Sequence, residues 1–515
     1  MIASVKKKFF KSALLLVLIA QMGYAQTIED PAKERERIER EAEQRRQQAE
    51  REAEQKRQQE REAEQQRQQE RDAEQRIPQV MTMTTAKEGE VKISLRGSGT
   101  ATISWGDGTP NETVKLTNYS STHNHRYSTS VVRTIIITGV NTTHLSCSSN
   151  QLTSLDVSRN AQLTELGCSW NQLTSLDVSR NVQLTELYCS SNQLTSLDMS
   201  RNVQLTNLDC FDNQLTSLDV SRNLQLTRLE CDRNRLTSLD VSRNVKLTRL
   251  ECFGNQLTSL DISRNVQLTY LSCWENQLTS LDVSRNVQLT ELWCSVNQLT
   301  SLDVSRNVHL ANLNCHSNQL TSLDVSRNEK LTMLDCFGNQ LTSLDVSRNV
   351  KLSHLSCGSN QLTSLDVSRN VQLTELYCGN NQLTSLDVSS NLQLDILSCY
   401  SNQLTSLDVI RNVQLTGLDC RYNQLTSLDV SRNVQLTELW CSVNQLTSLD
   451  VSKNTLLYWL RCSSNRLTAD ALNTLFGSLH GNEMANKKIN INNNPGTNDA
   501  RRSITTNKGW TFVDD

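Results

Sequence analysis

Residues 184–204 read LTELYCSSNQLTSLDMSRNVQ, and the same pattern returns, without insertion or deletion, around every cysteine from Cys147 through Cys168 and Cys189 to Cys462. All 16 cysteines lie in this ladder, each 21 residues after the last. Leu184, Leu187 and Cys189 have the spacing of a short strand with one side turned inward. Asn192 follows, and Leu194, Leu197 and Met199 close the turn; most other units carry valine where this one has Met199. One such coil cannot bury its apolar side alone, whereas stacked coils make one continuous core. The spacing therefore predicts a parallel solenoid that stands or falls as an array. Coils stacked at about 4.8 Å give a rod or arc of roughly 75 Å for the 16 units.

The unit is similar to those of the leucine-rich-repeat family. It most resembles the bacterial internalin type, whose 21-residue units carry a cysteine in place of a core leucine. That resemblance implies an α/β-type repeat solenoid with a curved parallel sheet on its concave side. It also implies a protein-binding or adhesive role for a bacterial surface or secreted protein. Near-identical units also recur far apart: LTELWCSVNQLTSLDVS stands at 289–305 and again at 436–452. Such an array expands by exchange of whole units, which changes reach and not chemistry.

An even number of cysteines in an exported chain normally points to disulfides. In-register neighbours on a parallel sheet, however, stand roughly 4.8 Å apart, wider than the Cβ separation of about 3.8 Å that a disulfide prefers. The cysteines are expected to be reduced core thiols packing as small apolar groups, not metal ligands, because ligands must converge and these repeat along a line. Asn192, Asn202 and Asp198, repeated in each coil, read as turn residues that satisfy backbone groups. Repetitive calcium binding by the aspartates is the lesser reading.

Of the 14 aromatic residues in the solenoid, 13 occupy four sites around the cysteine, three or one before it and one or two after. They are Trp170, Tyr188, Phe211, Phe253, Tyr270, Trp274, Trp293, Phe337, Tyr377, Tyr400, Tyr422, Trp440 and Trp459; Tyr458 is the exception. Most of these sites alternate with the inward Leu-x-Cys positions and should face solvent. Exposed aromatics are costly unless covered, and Tyr and Trp are favoured interface anchors. Charges interleave with them: Glu165, Asp212, Arg228, Arg233, Arg249, Glu275, Arg421 and Arg461. The face reads as a recognition surface for a macromolecule, with carbohydrate stacking and simple shielding of the sheet between coils as competing readings.

Before the repeats, Lys6, Lys7, Lys8 and Lys11 precede a short apolar run from Ala13 to Ala20, the form of a secretory signal peptide over residues 1–25. Residues 26–78 form a Glu/Arg/Gln-rich segment with a ten-residue repeat, expected to be a solvated helical spacer ending at Pro78. Glu41 with Arg45, Glu52 with Lys56, Arg46 with Glu50 and Glu54 with Arg57 are its expected ion pairs. Disorder and a weak oligomerisation helix, coiled-coil-like without a fixed apolar seam, are its alternatives. Residues 79–140 read as a small β domain and N-terminal cap, with strands near Val91–Leu95, Ala101–Trp105, Thr113–Leu116 and Val131–Thr138. Trp105-Gly106-Asp107-Gly108-Thr109 and His125-Arg126-Tyr127 resemble the immunoglobulin-like PKD module. Asp107, His123 and His125 read as turn and packing residues more readily than as metal ligands. The solenoid spans 141–467. Residues 468–515 form a cap with a helix at Ala469–His480, a strand at Lys488–Ile491 and Trp510 over the last coil.

A net charge of −3 offers no basic footprint for nucleic acid. His144, His309, His316 and His354 are scattered over different coils, so no nucleophile, base and orienting group form a constellation. The sequence thus points to an exported protein-binding scaffold or adhesin: extracellular, cell-surface or periplasmic, monomeric, without cofactor, and inserted in no membrane. Its partner is a host or bacterial protein, with a glycan as the alternative. No wall-attachment signal is recognisable. A structural spacer of the envelope is the competing class, and the aromatic sites argue against it.

Overall fold

The computed structural model describes residues 30–74, 79–139 and 141–514. The expected signal peptide and Pro78 lie outside these residues. The chain divides into two units, residues 1–77 and 78–515.

In the first unit, helix α1 (Pro31–Glu74) is solvent-exposed along its described side chains. Its ion pairs differ from most of those expected. Glu41 pairs with Arg37 at 3.2 Å and Arg40 with Glu36 at 3.1 Å, while Glu54 and Arg57 stand 4.0 Å apart. Glu41 has a basic residue four positions away on either side, and solvated pairs differ by only tenths of a kcal/mol.

The second unit begins with strands β1 (Gln79–Thr85), β2 (Gly89–Gly97), β3 (Gly99–Ser104), β4 (Glu112–Leu116), β5 (Ser121–Tyr127) and β6 (Arg133–Gly139). The first coil contributes β7 (Thr142–Ser146) and β8 (Leu152–Asp156). β4–β3–β6–β1–β8 form an antiparallel sheet. β5–β2–β7 open a second sheet that turns parallel from β7 onward. The two segments of the first coil each extend one sheet, β8 beside β1 and β7 beside β2. β1 and β5 escape the sequence pattern. β5 reads STHNHRY and only Tyr127 is buried, leaving no apolar alternation to betray an edge strand.

From β9 (Glu165–Gly167) to β23 (Trp459–Arg461), each coil supplies one three-residue strand paired in register with the next. Leu187, Cys189, Leu194 and Met199 are buried, as are their counterparts in every coil. All sixteen cysteines are free and buried, and burial pushes thiols such as Cys168 up to about 12. Iodoacetamide is therefore expected to modify none of the sixteen thiols in the folded chain and all of them after denaturation without reductant, counted by mass. Fewer than sixteen in the denatured chain would reveal disulfides.

Two asparagine ladders hold the coils. Asn192 Nδ2 donates to the carbonyls of Cys168, Cys189 and Ser190 at 3.0, 3.1 and 3.1 Å, and its Oδ1 accepts from Leu173 N at 3.0 Å. Asn202 Nδ2 donates to Val178 O and Asn181 O at 3.0 and 2.8 Å. Asp198 Oδ1 accepts from Ser200 N at 2.9 Å, a bond that, as the largest cause, holds its carboxyl below the usual range. The aspartate thus acts as a turn residue.

The parallel sheet does not end with the cysteines. β24 (Lys488–Asn490) and β25 (Thr511–Phe512) continue it beyond the sixteen coils the spacing predicts. Asn494 serves as a further rung, Nδ2 donating to Cys462 O at 2.9 Å and Oδ1 accepting from Asn465 N at 3.1 Å. Helix α2 (Ala469–Ser478) buries Leu472, Leu475 and Phe476. It ends where Lys508 Nζ donates to the carbonyls of Phe476, Gly477 and Leu479, a cation at a helix C-terminus. The short helix α3 (Ser503–Thr506) precedes Trp510, which is buried and donates its indole N–H to His480 O at 3.0 Å.

Candidate functional site

On each short strand the central leucine points inward and its two neighbours lie on the outer side, half-buried in most coils as in Glu186-Leu187-Tyr188, though Glu230, Ser272 and Asn314 are buried. In-register pairing lines these neighbours up in rows across the sheet, so Tyr188 stands beside Asp209 and Trp293 beside Asn314. Tyr270 and Trp459 lie in the row three before the cysteine; Tyr188, Trp293, Tyr377 and Trp440 lie in the row one before it. Phe211, Phe253, Trp274, Phe337 and Tyr400 sit just beyond the strand, and Trp170 and Tyr422 one residue further.

The aromatics are less exposed than alternation suggests. Trp170, Phe337 and Tyr422 are exposed, and the other ten are half-buried. Neighbouring rings cover one another: Phe253 stacks on Trp274 at 4.5 Å, and Trp440 meets Trp459 edge-on at 5.2 Å. Guanidinium groups cap the remaining faces, Arg249 over Tyr270 at 3.7 Å and Arg461 over Trp459 at 4.5 Å. The site two after the cysteine is left-handed in coil after coil, with φ of 59° at Trp170, 57° at Tyr422 and 51° even at the β-branched Val296. Backbone geometry, not strand alternation, aims those side chains.

The interleaved charges divide. Glu165 is engaged by Arg96 at 3.0 Å, at the junction with β2, and is tied to the fold. Asp212 accepts from Ser191 Oγ at 2.9 Å. Arg421 forks onto Asp419 at 2.9 and 2.8 Å while lying over Trp440 at 4.6 Å. Arg233 lies over Phe253 at 5.9 Å.

A group of carboxylates escapes the reading of the sequence. Asp209, Glu230 and Glu251 are direct cross-strand neighbours on three consecutive coils, and Asp232 lies buried beside them. Burial pushes Asp209 up to about 6 and Asp232 up to about 7. Burial, then a hydrogen bond to Glu230, raises Glu251. Arg228 Nε and Arg249 Nε donate to Glu230 and Glu251 at 2.7 Å each. The signal was present as NLDC, RLEC and RLEC in successive units.

Farther along the sheet a cleft of about 340 Å³ opens between Tyr377 and Trp440. It opens where Gly417 lacks the side chain that the other coils carry in that row and where Ser398 is small. A Cβ at Gly417 would meet nothing nearer than Ile396 at 3.9 Å, so the floor has room for a side chain. The indole N–H groups of Trp440 and Trp459 are buried without an acceptor.

In the β module, His125 Nε2 meets Asp107 Oδ2 at 2.6 Å and its ring stacks on Trp105 at 4.9 Å. Asp107 Oδ1 also accepts from Thr109 N at 3.1 Å, and His123 Nδ1 meets Glu112 at 2.7 Å. These are turn and packing contacts.

In-register three-residue strands, an asparagine rung per coil and a buried apolar row define a leucine-rich-repeat solenoid. The chain belongs to the internalin-type leucine-rich-repeat family. It is 40% identical to the functional domain of InlJ from Listeria monocytogenes, described as including a cysteine ladder, over 68% of this chain and 72% of that one, with a TM-score of 0.59. A leucine-rich-repeat protein of Leptospira interrogans aligns at 24% identity over 72% of this chain and 95% of its own, with a TM-score of 0.57. YopM from Yersinia enterocolitica aligns at 23% over 68% and 78%, with a TM-score of 0.51; these two share the fold. No protein-family model and no curated protein matches the sequence. Among the described residues no helix is long and apolar enough to cross a membrane.

Proposed function

We propose that the chain is an exported protein-binding scaffold, not an enzyme, whose solenoid presents the solvent side of its parallel sheet as a concave recognition face for a host or bacterial protein. The observation that carries this reading is the segregation of 13 of 14 solenoid aromatics to the sites around the cysteine. A fold needs apolar groups inside; it gains little from Trp and Tyr on the outer side of strands. Buried indole N–H groups without acceptors and like-charged carboxylates on adjacent strands point the same way, since both cost stability in the isolated chain. Export rests on residues 1–25. The β strands before the solenoid, read as a PKD-like module, would space and cap it. The packing of half-buried rings on one another, as in Phe253 on Trp274 and Trp440 against Trp459, is what the rival spacer reading explains best.

Binding of the chain, without residues 1–25, to arrayed extracellular proteins and glycans decides between them. The comparison is a variant with Trp274, Trp293, Tyr377 and Trp440 changed to alanine, once circular dichroism shows that both fold. Saturable binding weakened at least about 100-fold in the variant is expected, as for loss of several interface anchors. Binding indifferent to the four changes, or none to any probe, would favour the spacer.

A further inference from the structure

A second apolar feature lies away from the sheet face. Directly after the second asparagine of each unit, every twenty-first residue from Val182 to Val434 is valine or leucine, with Glu329 the one interruption. These side chains occupy turns, and all 12 are exposed, by 39–49%. The core does not use them, since the inward leucine follows two residues later. The next residue is glutamine in most coils, so the row of apolar groups is bordered by a row of uncharged amides. Beside it, a shallow groove of about 520 Å³ runs along Leu392, Gln393, Gln414 and Gln435.

We infer that this ridge is a self-association surface, covered by the same ridge of a second copy of the chain. Size is the first argument. The ridge's 12 exposed side chains, seven before Glu329 and five after, offer on the order of 700 Å² in all, close to the ~800 Å² each partner gives a standard interface. Spacing is the second. The ridge repeats at about 4.8 Å, one coil, whereas a strand repeats on one face at ~6.8 Å and a helix turns every 5.4 Å. Neither stays in step with the ridge for more than a few residues. A second copy matches it along its whole length, because its ridge is built on the same coil.

Charge is the third argument. Gln183, Gln204, Gln267 and Gln288 face their like without repulsion, each amide being both donor and acceptor. Beside the amides, Lys330 Nζ meets His309 Nδ1 at 2.9 Å and Lys246 meets Gln225, while the other border carries an arginine two residues before most ridge positions, as Arg201 before Val203 and Arg264 before Val266, which the second copy meets with its amide row. This surface departs from the monomer suggested by the sequence, and it leaves the aromatic face free.

Sedimentation equilibrium of the full chain from about 1 to 200 µM tests it with two variants of opposite sign. Val245→Lys, Val266→Lys and Val287→Lys together alter exposed side chains only, and are expected to weaken dimerisation at least about 100-fold. Glu329→Val completes the ridge and is expected to tighten it about tenfold. A wild type that stays monomeric, a dimer undiminished by the three lysines, or one unchanged by Glu329→Val would each overturn the inference; the second result would assign association to another surface, such as α1.

Discussion

Asn297→Ala is expected to lower the unfolding free energy by about 2–4 kcal/mol. Asn297 Nδ2 donates to the carbonyls of Cys273, Cys294 and Ser295 at 3.0, 3.2 and 3.1 Å, and Oδ1 accepts from Leu278 N at 2.9 Å. The cysteine carbonyls keep a second donor, because Asn276 reaches Cys273 O and Asn318 reaches Cys294 O from the adjacent rungs at 3.1 Å each. Leu278 N loses the acceptor that the rung gives it. An orphaned buried N–H costs about 1–3 kcal/mol, and the lost donors add about 1 kcal/mol between them after sharing. The other ladder gives the control. Asn286 Nδ2 donates to Ile262 O and Asn265 O at 3.0 and 2.9 Å, but its Oδ1 has no partner. Asn286→Ala strands no backbone donor, and both carbonyls keep a backbone N–H, so it should cost only about 1 kcal/mol. Urea unfolding followed by circular dichroism measures both. A cost under about 1 kcal/mol at Asn297, or the reverse order of the two, would refute the assignment of the first ladder as the dominant polar tie.

The repeat was legible because each inward position imposes the same demand in every coil, and Leu187, Cys189 and Asn192 meet it at one fixed spacing. The two strands after Cys462 were legible in principle. Ile489, Ile491 and Asn494 repeat the Leu-x-Cys-x-x-Asn order of Leu460, Cys462 and Asn465 after eight extra residues. The inserted helix α2 broke the spacing and hid the match. The aromatic rows were readable as positions but not as environments. Whether Trp274 is exposed depends on Phe253 and the coils on either side, and separation along the chain does not say how rings 21 residues apart will lean. The same limit hid the carboxylates: Asp209, Glu230 and Glu251 are unremarkable one at a time, and become a costly group only when the sheet places them side by side.

That cost should appear as a dependence of stability on pH. The unfolded chain holds Asp209 and Asp232 near the ordinary value of about 3.9, while the folded chain raises them to about 6 and about 7. Between pH 4 and 7 the folded chain therefore keeps protons that the unfolded chain has released. Stability falls as pH rises through that window and is level above it. The turn aspartates such as Asp177 and Asp198 act in the opposite sense, being lowered in the folded chain. Their contribution is present at neutral pH and lost as pH drops below about 3.9. Stability should then peak between about pH 4 and 5, and urea unfolding should show the chain weaker at pH 8 than at pH 5. Asp232→Asn removes the largest share of this slope and is expected to be about 2 kcal/mol more stable than the wild type at pH 8, with little difference at pH 4. Equal stability of the wild type at the two pH values, or no gain from Asp232→Asn at pH 8, would sink the argument. If the gain is found, the group is a local liability kept on the outer side of the sheet. A Lys or Arg from a partner seated against Asp209, Glu230 and Asp232 would recover what the isolated chain loses, so binding there should strengthen as pH rises through 7.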